Sequence, residues 1–506
     1  MQIHSFSTIS FLAVTLSFLT RKRDVIKKLE RRLSVALLSL GLSLAASGAA
    51  RAADFTPCDD AASKPALAGS LCAVERVAAD PSGLAGAPKA ELQLFVRKFP
   101  ATGQARGQVW LVAGGPGESG ASFYGLLPVL RKAFAGFDLL IPDHRGTGFS
   151  TRLCPGEESA ASPGGTALAG AEWASCFQRL NENPAYARQF SQTNAAHDLK
   201  RLIGSVPRQG QTWVYGVSYG TQLVLRTLAL GTEHIDGVVL DSLVPLQDDA
   251  SADLSRRSLT TDAAGRKLLA WCDGYDDCHA QLGEPAEALY RRVLARFEGD
   301  PALQAAVPGK NLKRFFGASL DVPEAATRIP YLLKALEGGK TEGIEDMKRE
   351  LEREAAVLGA FPQSPPSIAL VSIISGSENN LQPGRQRDAV RQEEQGLLFS
   401  SALPGLLIEP GLPLYPRDAF FAKLPPRLPR TLVIQGERDA KTPYDAALRH
   451  VAALRERGPV EVFTIADGAH FALWTSSVCV EKGIDAFVDK RPLPPPCRTV
   501  KVRMQH

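Results

Sequence analysis

The chain has 506 residues, with 58 Lys and Arg against 54 Asp and Glu and a formal net charge of +4, a balance that argues against a nucleic-acid binder. Its 44% hydrophobic and 22% charged residues are ordinary globular composition, which excludes a disordered chain and a protein of many membrane spans. At about 150 residues per domain the length fits roughly three domains, or one α/β core carrying a large insertion.

The basic excess sits at the start. Arg21-Lys22-Arg23, Lys27-Lys28 and Arg31-Arg32 precede an apolar run at 33–44 and the small-residue ending Ala50-Arg51-Ala52, the order of an export signal, and cleavage is expected after Ala52. Residues 1–52 hold eight Lys and Arg and two Asp and Glu, so their loss leaves the remainder at −2. An uncleaved anchor is the lesser reading, because the apolar run falls short of the ~20 residues of a spanning helix. The protein is thus expected to be exported, periplasmic or secreted, without stable membrane insertion after cleavage. A second apolar stretch at 9–19 has no place in such a signal. With Met only at 1, 347 and 504, a start at Val25 would leave a compact one.

Eight cysteines follow the expected cleavage point in four local pairs: Cys58 with Cys72, Cys154 with Cys176, Cys272 with Cys278 and Cys479 with Cys497. An even count in an exported chain reads as disulfides, each contributing roughly 2–4 kcal/mol. No C-x-x-C occurs and only His279 adjoins a cysteine, so no metal site is expected, and no motif implies a cofactor.

Along the rest of the chain, apolar strand-like runs alternate with helical patterns, the signature of a mostly parallel α/β sheet flanked by helices. Strands are expected at 92–99, 108–113, 137–142, 212–217, 235–240, 431–435 and 460–465, with a helix at 219–230 after Ser218. Between 246 and 424 the strand signal vanishes, and segments such as 286–297 and 344–358 fit amphipathic helices. This predicts a helical lid over the carboxyl ends of the strands, splitting the core into halves 53–245 and 425–506, with Pro425-Pro426-Arg427-Leu428-Pro429 as the return linker.

Gly216-Val217-Ser218-Tyr219-Gly220 is a G-x-S-x-G motif with a strand before and a helix after, the context in which a serine is held exposed on a tight turn as a nucleophile. Base and acid then follow in the order acid, histidine. His470 lies in the loop after the last strand, whereas His450 is within a helical pattern and His506 is terminal. Asp439, after the penultimate strand, ranks ahead of its competitor Asp241; Glu437 and Asp467 read as loop or capping residues. Tyr219 and Gly115 are the expected backbone donors to an oxyanion. Asp143-His144-Arg145-Gly146-Thr147-Gly148-Phe149-Ser150 reads as a structural turn in which Asp143 and Arg145 hold loops around the site.

Gly114-Gly115-Pro116-Gly117-Glu118-Ser119-Gly120, the Asp143 to Ser150 turn and Gly216 to Thr221 together resemble the HGGPG, DxRGxGxS and GxSYGT motifs of α/β-hydrolase-fold serine peptidases of the prolyl iminopeptidase and tripeptidyl aminopeptidase family. The region of Asp439, His470 and the Cys479 to Cys497 tail is similar to the secreted tripeptidyl aminopeptidase branch. Ala113 stands where that family usually has histidine, and Ser375-Gly376-Ser377-Glu378-Asn379 matches its late lid motif only loosely. The resemblance implies an exported exopeptidase acting on peptides with free N-termini, with Glu378 the candidate to bind the substrate's α-ammonium. An exported carboxylesterase or lipase with the same triad is the alternative, because pocket shape and not the triad sets the substrate.

Overall fold

A computed structural model describes residues 54–86, 89–231, 233–408 and 411–498. The expected signal, the alternative start and His506 lie outside the described residues.

Nine strands form one sheet in the order β1-β2-β3-β5-β4-β6-β7-β8-β9. They are β1 Thr56–Pro57, β2 Leu71–Ala78, β3 Glu91–Phe99, β4 Gly107–Val112, β5 Phe137–Pro142, β6 Gln211–Val217, β7 Gly237–Asp241, β8 Arg430–Gly436 and β9 Val460–Ile465. From β5 to β9 every pairing is parallel, while β1, β2 and β3 add an antiparallel margin. The seven expected strands are all present. β1 and β2 are additions that the apolar pattern did not reveal.

Side-chain alternation distributes the strand residues between two cores. Trp110, Val112, Val214, Val238, Leu240 and Val433 pack on one face. Val109, Leu111, Trp213, Tyr215, Val239, Leu432 and Ile434 pack on the other. Helices cover both faces, which is why β4 and β6 are apolar almost throughout.

The register fixes where the loops emerge. Val112 lies opposite Gly216, Val217 opposite Asp241, Asp241 opposite Ile434, and Gly436 opposite Ile465. The turns that follow β4, β6, β7, β8 and β9 therefore open along one edge of the sheet, the carboxyl edge where parallel sheets bind ligands.

Between β7 and β8 the chain is helical, as its composition predicts, and carries its own apolar cluster. Leu289, Tyr290, Val293, Phe316, Ile329, Leu333, Ile344 and Met347 are buried there together with Cys272 and Cys278. The segment expected to be lid throughout is nevertheless divided. Leu370, Ile373, Ile374, Leu412 and Tyr415 belong to the cluster on the sheet, so the stretch holding 369–415 includes a strap packed on the core.

The structure joins Cys58 to Cys72, Cys154 to Cys176, Cys272 to Cys278 and Cys479 to Cys497. Among the described residues no helix is long and apolar enough to cross a membrane.

Candidate active site

Ser218 occupies the turn between β6 and the helix Tyr219–Ala229, with φ 53° and ψ −125°. A non-glycine residue adopts such a conformation at a cost, and here the surroundings enforce it. The Ser218 N–H donates to Asp241 O at 3.0 Å, and the Thr221 N–H returns to Ser218 O at 2.8 Å. Both flanking glycines are needed for close approach. A Cβ on Gly216 would lie 2.6 Å from Gly220 O, and one on Gly220 would lie 2.4 Å from Val112 O.

His470 Nε2 lies 2.9 Å from Ser218 Oγ, and its Nδ1 lies 3.0 Å from both carboxylate oxygens of Asp439. With Nδ1–H donating to the carboxylate, Nε2 is the acceptor for the serine hydroxyl. Asp439 is itself held by the N–H groups of Lys441 at 2.8 Å and Thr442 at 2.7 Å and by the Thr442 hydroxyl at 2.6 Å. Burial alone would raise its carboxyl. The His470 imidazole and the Thr442 hydrogen bonds outweigh that and bring it down to about 2, so it is an anion at neutral pH.

Asp241, the competing acid, does different work. It accepts from Tyr215 Oη at 2.5 Å, from Ser242 Oγ at 3.0 Å, and from the N–H groups of Ala472 at 3.0 Å and Leu473 at 2.8 Å. The last two donors begin the short helix Ala472–Thr475 just after His470. Asp241 thus anchors the backbone that carries the imidazole, and burial raises its carboxyl despite these bonds.

The Asp143 turn supports the opposite wall. Asp143 Oδ1 accepts from Ser119 Oγ at 2.8 Å and Gly120 N at 2.7 Å, which ties the glycine-rich loop to the end of β5. Arg145 grips Asp198 through Nε at 2.6 Å and a second nitrogen at 2.7 Å. His144 is buried, and burial pushes its imidazole down to about 4. Its Nδ1 lies 3.1 Å from Arg145 O, within its own turn.

Ser218, Tyr219, Gly115 and His470 line one cavity of about 450 Å³. Its remaining walls come largely from the insertion, including Leu254, Arg257, Thr261, Arg314 and Asp321. Tyr219 opens its helix, so its N–H has no acceptor within that helix.

Glu378 is the correction. It sits in the turn Ser375–Asn379, buried to 2% exposure, and outside the cavity wall. Its carboxylate is taken by Arg226 at 3.1 Å, Gln247 Nε2 at 2.8 Å and Tyr415 Oη at 3.1 Å. The Arg226 guanidinium, which also meets Asp418, holds it inside the protein and away from the cavity where the α-ammonium was expected to meet it.

The carboxylates that do line the cavity are Glu118 and Asp321. Asp321 is paired with Lys441 at 2.8 Å. Glu118 Oε2 and Ser218 Cβ both come within 3.3 Å of the point where a Cβ on Gly114 would sit. Burial raises the Glu118 carboxyl, and Lys441 and His470 act against it. Its place directly after the glycine-rich motif was visible in the sequence; Asp321, Lys441 and Arg257 carried no motif.

The family described as alpha/beta hydrolase fold matches residues 109–292, which span β4 to β7 and the turn at Ser218. The chain has the α/β-hydrolase fold. A second family, described as TAP-like protein, matches residues 411–498 of this hydrolase, the part that carries Asp439 and His470. No curated protein matches the chain. Among solved structures, an esterase from Thermogutta terrifontis is 15% identical over 82% of this chain and 98% of its own, with a TM-score of 0.35. An epoxide hydrolase from Vigna radiata is 17% identical over 82% and 98%, at 0.34. A bromoperoxidase from Bacillus anthracis is 13% identical over 82% and 100%, at 0.33.

Proposed function

We propose that this α/β hydrolase is an exported serine exopeptidase that cleaves peptides near their free N-termini. The observation that carries the reading is the hydrogen-bonded line from Ser218 through His470 to Asp439, opening into a cavity roofed by the insertion. The TAP-like match over residues 411–498 supports a peptidase, and the four disulfides support export.

In this reading Ser218 Oγ attacks the scissile carbonyl while His470 Nε2 takes the hydroxyl proton. The negative charge that develops on the carbonyl oxygen is received by the N–H groups of Tyr219 and Gly115. Asp439, an anion throughout, holds the imidazole in the required tautomer and stabilises the imidazolium. His470 then gives its proton to the departing amine, and the acyl-enzyme left on Ser218 is cleaved by a water that His470 activates. Glu118, the cavity carboxylate beside Ser218, takes the role of receiving the α-ammonium that Glu378 cannot perform.

A panel of aminoacyl and tripeptidyl chromogenic amides, their N-blocked counterparts and p-nitrophenyl esters tests this. Cleavage of free-amine amides in preference to blocked ones is expected. Fast ester hydrolysis without amide hydrolysis would replace the peptidase by a carboxylesterase.

A further inference from the structure

Three cationic side chains line the cavity: Arg257, Arg314 and Lys441. Two are already paired. Lys441 holds Asp321 at 2.8 Å, and Arg314 faces Glu394 at 3.5 Å. Arg257 is different. A terminal guanidinium nitrogen donates to Lys441 O at 2.5 Å, and among the described residues no carboxylate lies within ion-pair distance of it. A guanidinium offers five donors in a planar fork suited to a carboxylate. Burial lowers the Arg257 pKa, with Asp439 and Asp321 acting against that from a distance. A half-buried guanidinium on a cavity wall, with no carboxylate of the protein against it, is free to take an anion that arrives with a ligand.

Its position says which part of a ligand it meets. Lys441 O, to which Arg257 donates, is two residues beyond Asp439, in the turn whose N–H groups hold that carboxylate. Arg257 therefore stands at the turn that holds Asp439, and Lys441 of the same turn also acts on Glu118, whose carboxylate comes from the glycine-rich loop. Because His470 delivers the proton to the departing amine, the departing fragment lies on the Arg257 side.

We infer that Arg257 forms a subsite for the carboxylate of the departing fragment, so that the preferred substrates are short peptides with a free C-terminus. This rests on the exopeptidase reading above. The cavity volume of about 450 Å³ lies in the range of sites that take small molecules.

The test compares Ala-Ala-Ala with its C-terminal amide, reading the ratio of their kcat/KM values. The wild type is expected to favour the free acid by about tenfold or more, the size of effect that a charge-assisted contact gives. Arg257→Gln should reduce that ratio by about tenfold, and Arg257→Lys should retain part of it. An equal rate on acid and amide in the wild type, or an unchanged ratio in Arg257→Gln, overturns the subsite. A second measurement needs neither a variant nor amide cleavage: N-acetylalanine and N-acetylalaninamide are compared as inhibitors of p-nitrophenyl acetate hydrolysis by the wild type. Stronger inhibition by the acid supports the subsite even where no peptide is cleaved, an outcome that removes the peptidase reading alone. Equal inhibition by the two rejects the subsite even where peptides are cleaved.

Discussion

At the scale of single residues, two buried aspartates follow neighbouring strands, and their partners separate them. Asp439 touches the imidazole, whereas Asp241 touches the backbone that carries it. Asp439→Asn is expected to lower kcat by about 10⁴-fold, because the imidazole loses its tautomer and its charge partner. Asp241→Asn is expected to cost about 1–3 kcal/mol of stability, since an amide cannot accept from four donors as the carboxylate does. Thermal melts and steady-state kinetics on both variants check the contrast. The sign of the pH effect also follows. Asp439 has its carboxyl lowered to about 2 from an ordinary value of 3.8, so its stabilisation is complete above pH ~4 and is lost as the pH falls towards ~2, an effect on the order of 2 kcal/mol. Urea titrations at pH 5 and pH 2.5 should show this loss in the wild type and a smaller one in Asp439→Asn.

At the scale of elements, the strap around Glu378 is fastened to the helix that begins at Tyr219. Arg226, on that helix, meets the buried Glu378 and also the half-buried Asp418 at 3.5 Å. Removing one partner of such a pair leaves a buried charge uncompensated. Arg226→Met is expected to destabilise the fold by about 3–5 kcal/mol, read from denaturant melts, and the double variant Arg226→Met with Glu378→Gln should recover part of it. Glu378→Gln alone should leave the preference for free-amine over blocked substrates where it was, whereas Glu118→Gln should reduce it. A loss of that preference in Glu378→Gln would restore the role first expected of it. The sequence placed Glu378 in a helical insertion but gave no sign of Arg226, which is 152 residues away. A carboxylate's partner across such a separation is set by packing, and periodicity carries no trace of it. The parallel strands were legible for the opposite reason. Each is a short apolar run closed by glycine, proline or a polar turn, as at Gln108 to Gly115 and Thr212 to Ser218. β2 escaped notice because only Ala73 and Val77 of its eight residues are fully buried and Glu75 and Arg76 interrupt the run. Ser218, Asp439 and His470 stood out because the order of serine, acid and histidine after successive strands restricts the choice to few residues.

For the whole molecule, the four disulfides and the N-terminal charge excess make one account. Each bridge spans a short separation, from 6 residues for Cys272 to Cys278 up to 22 for Cys154 to Cys176. They pin local loops and leave the assembly of the sheet to packing. Replacing both Cys154 and Cys176 by alanine should cost about 2–4 kcal/mol, measured by urea unfolding under non-reducing conditions. The exported protein should begin at Ala53, which the intact mass of material recovered from outside the cytoplasm decides. A mass retaining residues 1–52 would return the anchor reading.

The order of the chain has a bearing on timing. His470 follows Ser218 by 252 residues, and the whole insertion lies between them. A polypeptide made N-terminus first therefore presents a serine without a base until most of its length exists, and the imidazole joins it only when β8 and β9 have been added to the sheet. The triad is therefore completed only with the last section of the fold, and a chain that ends before β9 holds Ser218 without its imidazole.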